Sequence, residues 1–147
     1  ELFFKHFQKH RFIKDRERFL IKNADQIKIK PKSNAFQGQI YALIDARCAS
    51  ATGELTGLLR TYTNAIFIGE EAGGNPVTQA AGDLLHLVLP NTQLRVQIPA
   101  LRSHANVNFE NTGRGILPDH EILPTIEDQL EGRDSVLEWT IKFIKEK

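Results

Sequence analysis

Residues 38–59, GQIYALIDARCASATGELTGLL, constrain the fold more than any other stretch of the chain. An apolar run from Ile40 to Ile44 ends in Asp45 and reads as a buried strand over residues 40–45. Small residues then carry the chain to Ser50. Beyond it Ala51, Leu55, Leu58, Leu59 and Tyr62 recur at helical spacing, which predicts an amphipathic helix over residues 51–63 with these side chains inward. A strand, a tight turn and a helix put one hydroxyl at a helix N-terminus, where unpaired amides and the helix dipole favour negative charge. A serine so placed can attack a carbonyl and have the oxyanion held by adjacent amides. Serine is equally a favoured N-cap. A capping box, however, needs Glu or Gln three residues on, and here position 53 is Gly, with Glu54 one place late.

The remaining elements are coarser. The end of a helix is expected over residues 2–9, and short strands over residues 18–22 and 26–30. A strand at residues 65–69 follows the helix, then a Gly-rich loop over residues 70–82. Alternating apolar residues predict a strand pair at residues 84–89 and 94–98 around the turn Pro90-Asn91. A loop at residues 106–115 and the segment 116–124 lead to a last helix running to Lys147. That helix has Val136, Leu137, Thr140, Ile141 and Ile144 inward, with Asp134 or Ser135 as its cap; Ser135 and Glu138 fit a capping box. A strand–helix–strand core with β-hairpin additions argues α/β with a mixed sheet.

With 147 residues, 41% hydrophobic and 25% charged, the chain fits one domain with a real core. No apolar run approaches the roughly 20 residues that span a bilayer. The chain opens Glu-Leu-Phe-Phe and lacks methionine, so it reads as an excised or processed piece, and the lack of a leader says nothing about compartment. Its one cysteine, Cys48, excludes an internal disulfide and reads as a small buried thiol rather than a nucleophile. Residues 1–37 hold ten Lys/Arg against four Asp/Glu, and residues 38–147 nine against fourteen. The basic stretch 5–32 has no nucleic-acid reading motif and alternates charge with apolar residues as a solvated face does, so no nucleic-acid partner is expected.

Familiar chemistry is missing. Ser50 sits in Ala-Ser-Ala, not in the Gly-x-Ser-x-Gly elbow. Gly69, Gly73 and Gly74 make neither a P-loop nor a dinucleotide fingerprint. The histidines at 6, 10, 86, 104 and 120 do not fall at zinc-ligand spacing, so neither a metal nor a cofactor is expected. His104, in Arg-Ser-His-Ala, reads as a strand or surface histidine rather than a base.

Five ordered blocks together resemble the catalytic domain of the tail-specific, or C-terminal-processing, serine peptidases, which include the tricorn core protease. Residues 36–45, FQGQIYALID, resemble the family's central strand, and residues 49–54, ASATGE, its nucleophile turn. FIGEEAGG at 67–74 resembles its IGE-x-TGG block, and GRGILPD at 113–119 its Pro-Asp strand. PTIED at 124–128 with GRDSVL at 132–137 resembles its closing helix.

The resemblance implies a Clp-protease/crotonase-like fold: a mixed sheet with flanking helices and β-hairpin additions. It also implies hydrolysis of polypeptides through an acyl-enzyme on Ser50, with the Ala51 amide as an oxyanion donor. Gly73, Gly74 and Asn75 would border the substrate, and Glu110 weakly matches a tricorn-type glutamate. An extracytoplasmic setting follows from the resemblance alone. The dyad-type lysine falls at Asn75, so a Ser–Lys dyad is not expected. The tricorn-type histidine and a second oxyanion donor belong to a segment with no counterpart here. Residues 1–147 are therefore expected to be a single domain, the C-terminal, nucleophile-bearing part of a catalytic domain. Two other readings are a peptide-binding module of the same fold that does not cleave, and a crotonase-like acyl-CoA enzyme that shares the architecture but not these blocks.

Overall fold

The computed structural model describes residues 12–15, 18–22 and 30–146. They fall into two compact units, Glu1–Gln37 and Gly38–Lys147. In the first, β1 (Phe12–Asp15) and β2 (Arg18–Ile21) form an antiparallel ribbon with Phe12 opposite Ile21. Strand β2 falls where a strand is expected; β1 was not anticipated. The expectations for residues 2–9 and 26–29 lie outside the described residues.

The second unit begins with β3 (Tyr41–Ile44), α1 (Ala51–Tyr62) and β4 (Ile66–Gly69). Next come β5 (Thr78–Val88), β6 (Arg95–His104) and β7 (His120–Glu121). Helices α2 (Ile126–Glu131) and α3 (Ser135–Lys145) close it. Strands β3, β4 and β7 form a parallel sheet in that order, Tyr41 opposite Ile66 and Ile68 opposite His120. Strands β5 and β6 pair antiparallel as a separate sheet. The chain is thus α/β with both kinds of pairing, though not within one sheet among the described residues.

Burial explains the apolar strand sequences. Central strand β4 is covered on both faces, and Phe67 and Ile68 are each fully buried, as a parallel strand between helices requires. Each such burial is worth about 1.5–3 kcal/mol. Phe67 joins Ile44, Ala65, Ala72 and Ile116 in the core, with Leu59 of α1 packed against it. Helix α3 covers the opposite face of β3 and β4. There Trp139 and Phe143 stack at 5.0 Å, and both rings meet His120 of β7 at 4.9 and 4.8 Å.

The two helix faces differ from the periodic expectation. In α1 the buried residues are Gly53, Thr56 and Gly57. Leu58 and Leu59 are half-buried, Ala51 is exposed, and Leu55 and Tyr62 are 53% and 61% exposed. In α3 Thr140 is buried and Val136 half-buried as expected, but Leu137, Ile141 and Ile144 are each 44% exposed while Trp139 and Phe143 face the sheet. Ser135 is not the cap: the Asp134 carboxylate accepts from the Leu137 amide at 2.9 Å. The capping box of this region is instead at α2, between Thr125 and Asp128. Strands β5 and β6 are longer than expected because the left-handed Gly82 (φ 76°) lets β5 continue through a bulge between Ala81 and Leu84.

One carboxylate ties the layers together. Arg60 of α1 donates to both oxygens of Asp119, at 2.7 and 2.9 Å, and to the Leu117 carbonyl at 2.9 Å. Asp119 also accepts the Phe67 amide at 2.8 Å, while its own amide donates to the Phe67 carbonyl at 2.7 Å. The Arg60 guanidinium lies 4.3 Å from the centroid of the Phe67 ring. Burial pushes the Asp119 carboxyl up, but the Arg60 and Phe67 hydrogen bonds outweigh it and hold the pKa below the ordinary 3.8.

Replacing Asp119 by Ala should therefore lower the unfolding free energy by about 2 kcal/mol, because the Phe67 amide and the Arg60 guanidinium lose their acceptor. A depressed folded-state pKa means this contribution is present above the unfolded value. It is lost as pH falls from near 3.8 through the lower folded-state value. Urea denaturation across pH 2–7 checks both points, and equal midpoints for the two proteins at pH 7 would refute the clamp.

Candidate active site

The turn between β3 and α1 is built from short hydrogen bonds and small residues. The Asp45 carboxylate accepts the Arg47 amide at 2.8 Å and the Arg47 guanidinium at 2.8 and 2.6 Å. Those bonds from Arg47 hold the Asp45 pKa below its usual value. The half-buried Cys48 thiol points to the same carboxylate at 3.8 Å, and the Cys48 amide donates to the Asp45 carbonyl at 3.0 Å.

Ser50 stands at the end of this turn with φ 53° and ψ −122°. Only two non-glycine residues among those described have positive φ, and Ser50 is one of them. Its side chain makes no capping hydrogen bond and is exposed, so the N-cap role that serine usually plays does not account for its position. A β-carbon in this region costs about 1–3 kcal/mol and persists only where the surroundings enforce it. The Ser50 carbonyl takes the Glu54 amide at 3.1 Å, whereas the Ala51 amide has no hydrogen-bond partner among the described residues. A free amide at the first turn of a helix is a ready donor to an anion.

The loop after β4 enforces the turn from above. Gly74 donates its amide to the Cys48 carbonyl at 2.9 Å. Backbone meets backbone here: a β-carbon on Gly53 would lie 2.9 Å from the Gly74 Cα, and one on Gly74 would lie 2.9 Å from the Ala49 Cα. Gly73 is exposed, beside the Ala46 carbonyl. Asn75 uses its side chain on the loop itself. Its Oδ1 accepts the amides of Val77 and Thr78 at 2.8 and 3.1 Å, and its Nδ2 donates to Asn111 at 2.6 Å. The structure thus gathers Ser50, Ala51, Gly73 and Gly74 around one turn, with Asn75 as the brace behind it.

Two other candidates stand apart from this turn. Glu110 is exposed in the loop between β6 and β7 and borders a cavity of about 510 Å³ with Arg60 and Arg114. Neither it nor His104 is hydrogen-bonded to Ser50, and His104 Nδ1 lies 3.2 Å from the neighbouring Ala105 carbonyl. Sequence reasoning missed Glu71 and Arg114. Arg114 forks onto the Glu71 carboxylate, which also accepts the Gly115 amide at 2.9 Å, fixing the loop from its far side. The Arg114 bonds, then that of Gly115, hold the Glu71 carboxyl below the ordinary range. Both residues lie in the recognised blocks, yet a pair so far apart in sequence leaves no periodic signal. Among the described residues no cluster of three or more His, Cys, Asp or Glu is arranged to hold a metal ion, and no helix is long and apolar enough to cross a membrane.

These elements fall inside a family match. The model of peptidase family S41 matches residues 4–122, most of the chain, and the protein belongs to that family, in accord with the tail-specific peptidase blocks in its sequence. No curated protein matches the chain. Membership makes the chain a peptidase by family and polypeptide its substrate class.

Replacing Ser50 by Gly should stabilise the protein by about 1 kcal/mol, because the left-handed backbone no longer carries a β-carbon and no cap bond is lost. Equilibrium denaturation reads this directly. A lower stability than the parent would mean that the hydroxyl has a structural partner.

Proposed function

We propose that this chain carries the nucleophile of a serine endopeptidase with a Clp-protease/crotonase-like fold. Ser50 Oγ attacks the carbonyl carbon of a peptide bond and loses its proton to a base. The tetrahedral intermediate then collapses to an acyl-enzyme as the protonated amine leaves. Water hydrolyses the ester and restores the serine. The Ala51 amide donates to the oxyanion, aided by the positive end of α1. Gly73 is exposed beside the nucleophile turn and offers backbone to an extended peptide, while Gly74, buried with its amide on the Cys48 carbonyl, holds the turn that borders it. Asn75 cannot accept a proton from serine, and its amide is already committed to the loop. In this reading the base is supplied from outside the described residues, and a role for Glu110 in orienting it rests on the tricorn-type resemblance alone. Residues 1–147 act in this reading as one nucleophile-bearing part of the catalytic domain.

The observation that carries the reading is the backbone of Ser50. A non-glycine residue held at positive φ, with a free hydroxyl and a free following amide, has no structural reason to be there. A peptide-binding module that does not cleave would need none of these three features.

In the full-length parent protein, Ser50→Ala should abolish hydrolysis and fluorophosphonate labelling and leave the melting temperature within a few degrees. Turnover equal to the parent's would remove Ser50 from the mechanism. The residues 1–147 alone should label poorly, since a positioned base is worth about 10²–10⁴-fold. Cys48→Ala should keep most of the activity, and inhibition by iodoacetamide that disappears in this variant would move the nucleophile to the thiol.

A further inference from the structure

A cleft of about 810 Å³ opens at the carboxyl ends of β3 and β4. Its walls are the turn residues Asp45, Arg47 and Cys48, the residue after β4, Glu70, and the start of α3. Ligands of open parallel sheets bind at this end of the strands. Three carboxylates, of Asp45, Glu70 and Asp134, and two guanidiniums, of Arg47 and Arg133, line it.

Most of these charges are already engaged. Asp45 holds Arg47 at 2.6 Å, and Asp134 caps α3 through the Leu137 amide at 2.9 Å. Arg133 faces two carboxylates of its own, Asp128 at 2.5 Å and Glu131 at 3.0 Å. Glu70 is different. Its amide donates to the Ile44 carbonyl at 2.9 Å, but its half-buried carboxylate has no hydrogen-bond or ion-pair partner among the described residues and acts on the Arg47 guanidinium, which Asp45 already holds, only through space. With both guanidiniums matched or outnumbered by carboxylates, the cleft is left with negative charge centred on Glu70, and a concave wall concentrates that field. The rest of the wall is apolar, made by Leu43, Ile44, Pro124 and Val136.

An apolar wall leading to one free carboxylate is complementary to a side chain with a methylene stem and a cationic head. We infer that the cleft binds a lysine or arginine side chain of a polypeptide, with Glu70 taking the charged head and Leu43 and Val136 covering the stem. Cys48, two residues before Ser50, forms part of the cleft wall. A residue held there sits beside the turn that carries Ser50, and in the serine peptidase reading it selects which bond is cut. Only this last consequence rests on the serine peptidase reading; binding does not.

The test is fluorescence anisotropy with the 147-residue chain carrying Ser50→Ala, so that nothing is cleaved. The probes are labelled Gly/Ser peptides with a central lysine, norleucine or glutamate. At low salt the lysine peptide should bind about tenfold more tightly than the norleucine peptide, the discrimination expected of one charge-assisted contact. Glu70→Gln should erase that preference, and Glu70→Lys should turn it toward the glutamate peptide. The Glu70 side chain holds no structural bond, so both variants keep the fold's hydrogen bonds. Equal affinities of the parent chain for the lysine and norleucine peptides, or a lysine preference that survives in Glu70→Gln, overturn the assignment. A lysine preference in a full-length parent whose Ser50 resists fluorophosphonate sinks the peptidase reading and sustains the cleft. Labelling without preference does the reverse.

Discussion

The carboxylate of Asp119 is the interaction on which the second unit depends. It reaches helix α1 through Arg60 and central strand β4 through the Phe67 amide, and its own amide returns to the Phe67 carbonyl. One residue thus fixes the distance between helix and strand. The Ser50 turn is anchored at one end by β3, which pairs with β4, and at the other by α1. Loosening the clamp would let the two ends of the turn shift independently. The Asp of the Pro-Asp element is here a structural residue, with its charge held by a guanidinium stacked on an aromatic ring.

A second constraint acts from the opposite side of the turn. Gly53 and Gly57 of α1 let the loop 74–76 approach until backbone touches backbone, and Thr56 closes its hydroxyl onto the Gly53 carbonyl at 2.7 Å. The helix face that periodicity assigns to the core carries Leu55 and Tyr62, and both stay largely exposed. Small residues win the interior because the loop after β4 must lie close enough to hold Ser50 at positive φ. Asn75 and Asn111, with Glu71 and Arg114, brace that loop from two directions. Strain at one residue is sustained by many ordinary bonds around it.

Much of the frame was legible in the sequence, and the reasons are local. A run of apolar residues ending in Asp45 reads as a strand, and β3 (Tyr41–Ile44) lies within the predicted span, although of its four residues only Ile44 is buried and Leu43 is exposed. The helix after Ser50 and the strand at Ile66–Gly69 were read from period and turn residues to within a residue of their ends, whereas the hairpin was placed correctly but each of its strands runs six residues further from the turn than its apolar alternation showed. Ser50 itself was singled out by its place between a strand and a helix and by the resembling blocks, the missing capping partner at position 53 adding a little, and its hydroxyl caps nothing. The blocks that resemble the tail-specific peptidases are carried by sequence order alone, and membership of family S41 agrees with them.

What the sequence alone determined about this protein is therefore its element order, its family and the one hydroxyl worth testing. Only the tertiary structure decided which faces of α1 and α3 turn inward, because burial there follows the neighbours that approach and not the period of the apolar residues. It also decided that Asn75 is a brace, that Asp119 is a clamp and that Glu70 stands unpaired in a cleft. The first two depend on partners from two to fifty-nine residues away, which the sequence order alone does not bring together. A linear pattern records which side chains a segment offers; which of them find a partner is settled only when the segments meet.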